Sequence, residues 1–245
     1  QSLTARPTKS SPQMGEANDS AAEAHYLGHR ERLRQKILQF GAETLQDYEL
    51  LEAILMAAIP RRDVKPLAKE ILQTFGSLSA ALNAKPEELT RIAGIKDSTV
   101  SLFALIREAS VRMLKNQIVD APVINSWNSL VAYCRASMSQ KKIEALRVLF
   151  LDSQCRLIKD EIMQTGTINQ TVVYPREVAR RSMELGAMSI IIVHNHPAGD
   201  LRPSKADIAM TQTLRDALKP LNITMVDHLI VSKTGFMSFK DCGYL

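Results

Sequence analysis

Ser189-Ile-Ile-Ile-Val193 runs straight into His194-Asn195-His196-Pro197-Ala198-Gly199-Asp200, and the chain then reaches Ser204-Lys205-Ala206-Asp207. A short, continuous apolar run rich in β-branched residues predicts a strand buried on both faces. Pro197 and Gly199 end it. Ser204, three residues before Asp207, has the acidic form of a capping box, so a helix is expected over Ser204 to Leu218. Strand, short loop and helix in that order is the grammar of a mixed α/β layer.

The same stretch carries chemistry. His194 and His196 are two apart on extended backbone, so their rings point to the same side. Asp207 falls in the first turn of the following helix, and the loop can fold it back toward the rings. Two imidazoles and a carboxylate are the ligand set of a catalytic zinc that keeps a fourth position for water. The net positive charge of such a site lowers the pKa of that water toward about 7. The set is also that of the facial triad in non-haem iron oxygenases. The plainer alternative is that Ser204 and Asp207 only cap a helix. A nucleobase deaminase is excluded, since His-x-Glu followed by Pro-Cys-x-x-Cys is absent.

Outward from this point the second half continues in α/β style. Helices are expected over Leu130–Met138 and Pro175–Gly186, and strands over Leu146–Leu151, Glu161–Thr167 and Val226–Ser232. Upstream the apolar pattern becomes helical. Leu33, Ile37 and Leu38 form one stripe, Leu50, Leu51, Ile54 and Leu55 a second, and Leu67, Ile71, Leu72 and Phe75 a third. Gly41 and Gly76 suit helix ends, and Pro66 a helix start. The expected organisation is a tail at 1–24, too poor in large apolar residues to order itself. A small all-α domain at 25–116, a linker at 117–122 and a mixed α/β domain at 123–245 follow.

With 245 residues, 45% of them hydrophobic and 23% charged, the composition is globular. No apolar run reaches the roughly 18–20 residues of a membrane span, and the first residues lack the order of a secretory signal. Three cysteines without a CxxC pair suggest a reducing, cytoplasmic setting and no cysteine-built zinc site. The formal charge of +5 is spread thinly: residues 25–120 hold 14 basic and 12 acidic residues, residues 121–245 hold 15 and 11. Aromatics make up only 5%, a poor supply for stacking single-stranded nucleic acid. Charge therefore permits DNA contact without indicating it.

Leu89-Thr-Arg-Ile-Ala-Gly94-Ile95-Lys96-Asp-Ser-Thr-Val100 resembles a helix-hairpin-helix, which holds DNA phosphates on backbone N–H groups. Lys96 stands where that motif has a second Gly, and Val100 where it has a small residue. An ordinary packing corner is the preferred reading.

His194-x-His196-Pro followed by Ser204-x-x-Asp207 resembles the JAMM motif of MPN/JAB-type zinc metallohydrolases. Further stretches extend the likeness: Gly28-His-Arg-Glu-Arg-Leu-Arg, Pro60-Arg-Arg-Asp-Val-Lys-Pro, Val148-Leu-Phe-Leu-Asp152, Tyr174-Pro-Arg-Glu-Val and Asp227-His-Leu-Ile-Val. Over about residues 25–245 the chain is similar to the RadC family. That resemblance implies a helical first domain and an MPN/JAB-type α/β domain with cytidine-deaminase-like layers. It implies zinc on His194, His196 and Asp207, Glu144 as the general base toward the attacking water, and Ser204 as support for the oxyanion of a cleaved amide. Asn195 replaces the Ser or Thr common in the eukaryotic isopeptidase branch, which leaves an isopeptide substrate unsupported. His228 is read as a satisfied core histidine of the late strand in preference to the alternative, a group that supports a metal ligand from behind.

The expected function is thus a zinc-dependent, peptidase-like hydrolase acting on a protein or peptide substrate. The rival from another class is a DNA-associated protein using Arg61, Arg62 and Lys96 of the helical domain, with weak contact to DNA. A third is a metal-holding scaffold without turnover.

Overall fold

The computed structural model describes residues 16–119, 122–166 and 174–245, with side chains from residue 28 onward. The chain divides into two compact units, Gln1–Arg107 and Glu108–Leu245. Both expected halves are present: the first is helical, the second a mixed sheet with helices.

The helical unit holds α1 (Glu16–Phe40), α2 (Asp47–Ala58), α3 (Lys65–Phe75), the short α4 (Leu78–Leu82) and α5 (Pro86–Leu89), and the start of α6 (Asp97–Val119). Pro66 sits in the first turn of α3, and Gly76 closes that helix in the left-handed conformation at φ 80°. Gly41 likewise follows α1 at φ 84°. Leu51, Leu55, Leu67, Ile71, Leu89, Ile95 and Phe103 form the core. Two details differ from expectation. The stripe on α1 buries Leu33, whereas Leu38 is 74% exposed. The helix also starts at Glu16, inside the stretch read as a tail; residues 1–15 lie outside the described ones.

In the second unit α7 (Trp127–Met138) precedes β1 (Ala145–Leu151) and β2 (Leu157–Thr165); α8 (Pro175–Glu184), β3 (Ser189–Asn195), α9 (Lys205–Leu218), β4 (Thr224–Val231) and β5 (Phe236–Ser238) follow. The expected linker is partly helical, because α6 runs to Val119 and Ile118 is buried in the core of this unit. β2 begins earlier than expected. Asp152 Oδ1 accepts the amides of Gln154 and Arg156, which tightens the preceding turn and starts the strand sooner. Thr167, the expected end of that strand, lies outside the described residues, as does the stretch to residue 173.

The sheet order is β2-β1-β3-β4-β5, with β3 and β4 parallel and every other pair antiparallel. Alternation divides its side chains between two cores. Leu149, Leu151, Ile191 and Val193 face a cluster with Leu130, Cys134 and Met138 of α7. Leu146, Val148, Phe150, Ile190 and Ile192 face Val178 of α8 and Leu214 and Leu218 of α9. Every residue of β1 and β3 is buried, as a strand covered on both faces requires. No helix among the described residues is long and apolar enough to cross a membrane.

Candidate metal centre

β3 delivers its last residues to the end of the sheet where β1 begins, with Leu146 opposite His194. The loop after β3 turns back and α9 starts beside it, capped by Ser204. Gly199 O accepts the hydroxyls of Ser232 and Thr234, at 3.3 and 2.9 Å, which fastens this loop to the turn after β4. His194 Nε2 lies 2.9 Å from His196 Nε2 and 3.4 Å from Asp207 Oδ1, and His196 Nε2 lies 3.5 Å from Asp207 Oδ2. One ligand atom from each of the three residues falls within 4.8 Å of the others. The His194 and Asp207 side chains are buried, and His196 keeps 14% exposure toward solvent.

The partners of these groups settle where their protons are. Thr211 donates its hydroxyl proton to the Asp207 carbonyl at 2.6 Å, so toward His228 Nδ1, also 2.6 Å away, it accepts. His228 therefore carries its proton on Nδ1 and accepts through Nε2. His194 Nδ1, 2.7 Å from His228 Nε2, must then be the donor. His196 Nδ1 faces the carbonyl of Asp200 at 2.6 Å and also donates. Both Nε2 atoms are left as lone pairs. Asp207 Oδ2 is occupied by the amide and hydroxyl of Ser204, each at 2.7 Å, while Asp207 Oδ1 is buried without a hydrogen bond.

Three acceptors thus converge with no donor among them, an arrangement that calls for a cation or one further proton. A divalent metal suits the donor set. Contact with the Asp207 carboxylate raises the pKa of His196 against the effect of partial burial. His194 differs, since burial lowers its pKa to about 4 despite the charge of Asp207. Burial would raise the Asp207 carboxyl, but His196, His194 and Ser204 together hold it far below the usual carboxylate range. The neutral His194 imidazole and the ionised Asp207 carboxylate are the states a metal ligand set requires, and a metal would take the place of a proton on His196.

The structure brings Glu144 to the same place. It directly precedes β1, is half-buried, and its charge contributes to raising the pKa of His196. Ser204 forms a complete capping box: it accepts the Asp207 amide at 3.1 Å and gives its own proton to Asp207 Oδ2. Both contacts bear on the orientation of Asp207. His228 is a fully buried, satisfied histidine, as expected, and it also touches His194. It stacks on Phe239 with centroids 4.3 Å apart, and burial keeps it neutral. Arg61, Arg62 and Lys96 belong to the other unit. There Ile92 and Ile95 are core residues and the Arg62 guanidinium rests against Gly94. Sequence reading overlooked Thr211 and the Asp200 carbonyl. Thr211 follows Asp207 by one helical turn, a spacing that puts both on one face; the carbonyl of a loop residue leaves no sequence signal.

Residues 124–244 match the RadC-like JAB domain family, and residues 25–101 match the UPF0758 N-terminal family. A UPF0758 protein of Rhodobacter capsulatus is 44% identical over 213 residues, covering 87% of this chain and 100% of the relative. Another, from Ruegeria pomeroyi, is 43% identical over 217 residues, covering 89% and 97%.

Proposed function

The chain belongs to the UPF0758 family, with a RadC-like JAB domain as its second half, and on that premise we propose that it is a zinc-dependent hydrolase of amide bonds in a protein or peptide. One observation carries the reading: the lone pairs of His194 Nε2, His196 Nε2 and the orphaned Asp207 Oδ1 converge while all their neighbouring protons are directed elsewhere.

His194, His196 and Asp207 would hold the zinc ion, which when bound would supply Lewis acidity toward a carbonyl and acidity to a water. The protein supplies the rest. Glu144 accepts the proton of the attacking water on its carboxylate and returns it to the leaving amine. Ser204 saturates Asp207 Oδ2, so that Oδ1 is the oxygen left without a hydrogen bond. His228, through Thr211, fixes the His194 tautomer and ring angle, the orienting role that outer partners of metal-bound histidines play. The partial exposure of His196 leaves one side open to substrate.

Elemental analysis of the native protein and of Asp207→Ala tests the site. Near-stoichiometric zinc in the first and its loss in the second are expected; iron in place of zinc, or no metal after loading, overturns the reading. Glu144→Gln then tests the chemistry on a quenched-fluorescence peptide library. Zinc retained with turnover lost supports hydrolysis, and unchanged turnover overturns it.

A further inference from the structure

Asn195 lies between the two histidines but projects from the opposite face of β3, so the metal reading leaves it unexplained. It is fully buried. Its Oδ1 accepts the amide of Ala145 at 2.8 Å; its Nδ2 donates to the carbonyls of Ile143 at 3.2 Å and Lys141 at 3.3 Å. All three partners lie on the segment that carries Glu144, and two of them flank it directly.

The β1–β3 pairing ends with Leu146 opposite His194. Beyond that rung the carboxamide takes over from the strand backbone and ties the incoming chain to β3. On the other side the Glu144 carbonyl accepts the amide of Gly166, at 2.9 Å, from the end of β2. We propose that Asn195 is a positioning residue, which sets the Glu144 carboxylate against the His194–His196 pair by gripping the backbone on both sides of it. This rests on the hydrolytic reading, in which Glu144 is the base.

The residue type follows from the partners. Asparagine offers one acceptor and two donor hydrogens, and here it meets one amide and two carbonyls. Aspartate keeps the acceptor and turns oxygen toward two carbonyls, while serine lacks the second group altogether. Since a displacement of about 1 Å in a catalytic group costs about 100-fold in rate, the grip has a direct kinetic consequence.

The test uses the full-length, zinc-loaded protein as wild type, Asn195→Ala and Asn195→Asp. Amide hydrogen exchange is followed by mass spectrometry, with zinc content in parallel. In Asn195→Ala we expect exchange across 141–145 to quicken by about tenfold or more, with 147–151 unchanged and zinc retained. If that variant fails to fold, Asn195→Asp decides, with the Ala145 amide still protected and the preceding residues loosened. Unchanged exchange at 141–145 in a folded variant, or loss of zinc, overturns the proposal. On any library peptide the wild type cleaves, Asn195→Ala should lower kcat about 100-fold with KM little changed, and should add nothing in the Glu144→Gln background. Full additivity there makes the residue merely structural. Exchange behaving as expected in a protein that cleaves no peptide defeats the hydrolytic reading and leaves the grip on the Glu144 segment standing.

Discussion

Thr211 Oγ1 lies 2.6 Å from His228 Nδ1 and, with its own proton on the Asp207 carbonyl, can only accept there. One hydroxyl thereby dictates the tautomer of His228, and His228 in turn that of His194. Thr211→Val keeps the volume and removes the hydroxyl. We expect about a 10- to 100-fold loss of zinc affinity, read by competition with a chromophoric chelator, and recovery in Thr211→Ser. Equal affinity in all three would dismiss the relay.

Ser204 has two effects that separate experimentally. Loss of the helix cap in Ser204→Ala should cost about 1 kcal/mol in denaturant unfolding of the metal-free protein. Zinc affinity should fall as well, because Asp207 Oδ2 loses the hydroxyl that holds it. A stability loss with unaltered affinity would confine Ser204 to capping.

Asp160 is the centre of a polar cluster at the edge of the sheet. It pairs with Lys115 at 2.8 Å and Arg147 at 2.7 Å and hydrogen-bonds Tyr133. Burial acts to raise its pKa, but Lys115, Tyr133 and Arg147 outweigh that and hold it below its ordinary 3.8. The folded state thus binds this proton less tightly than the unfolded chain. The resulting stability is complete above the unfolded value near 4 and is lost as pH falls through the lowered one. Asp160→Asn should flatten that part of the acid unfolding curve. At pH 7 it should also cost about 3–5 kcal/mol, since buried Arg147 loses its counter-charge. An acid limb identical to that of the wild type would count against the assignment.

The two leucines on neighbouring helices of the first unit predict opposite outcomes. Leu51 is fully buried and Leu38 is 74% exposed. Leu51→Ala should cost about 2–5 kcal/mol through the cavity it leaves, whereas Leu38→Ala should stay within about 0.5 kcal/mol. Chemical denaturation measures both.

Much of this was legible in the chain. The apolar run ending at Val193 reads as a doubly covered strand, and Pro66, Gly76 and Ser204 mark helix ends through backbone preferences that act locally. His194, His196 and Asp207 are close in sequence, so their meeting follows from strand alternation and one loop. Glu144 is distant, and its placement came from family likeness; no periodicity indicates it. Leu38 misled because a helical stripe shows which residues share a face, without showing how far a neighbour covers it. Thr211 and Asn195 carry no signal of their own, since a hydroxyl or carboxamide acquires meaning only from partners that the tertiary structure selects.

The short span from His194 to Asp207, set against the distant Glu144, has a consequence for the order in which the protein loses its parts. The ligands come from one strand, the loop after it and the start of the next helix, a low contact-order unit closed by a short loop. Glu144 joins it through the pairing of β1 with β3 and the Asn195 carboxamide beyond it, contacts between remote parts of the chain. Fraying that begins at the head of β1 would therefore separate Glu144, the proposed base, from His194, His196 and Asp207 while those three stayed together. Under mild denaturation turnover should vanish before the metal is released.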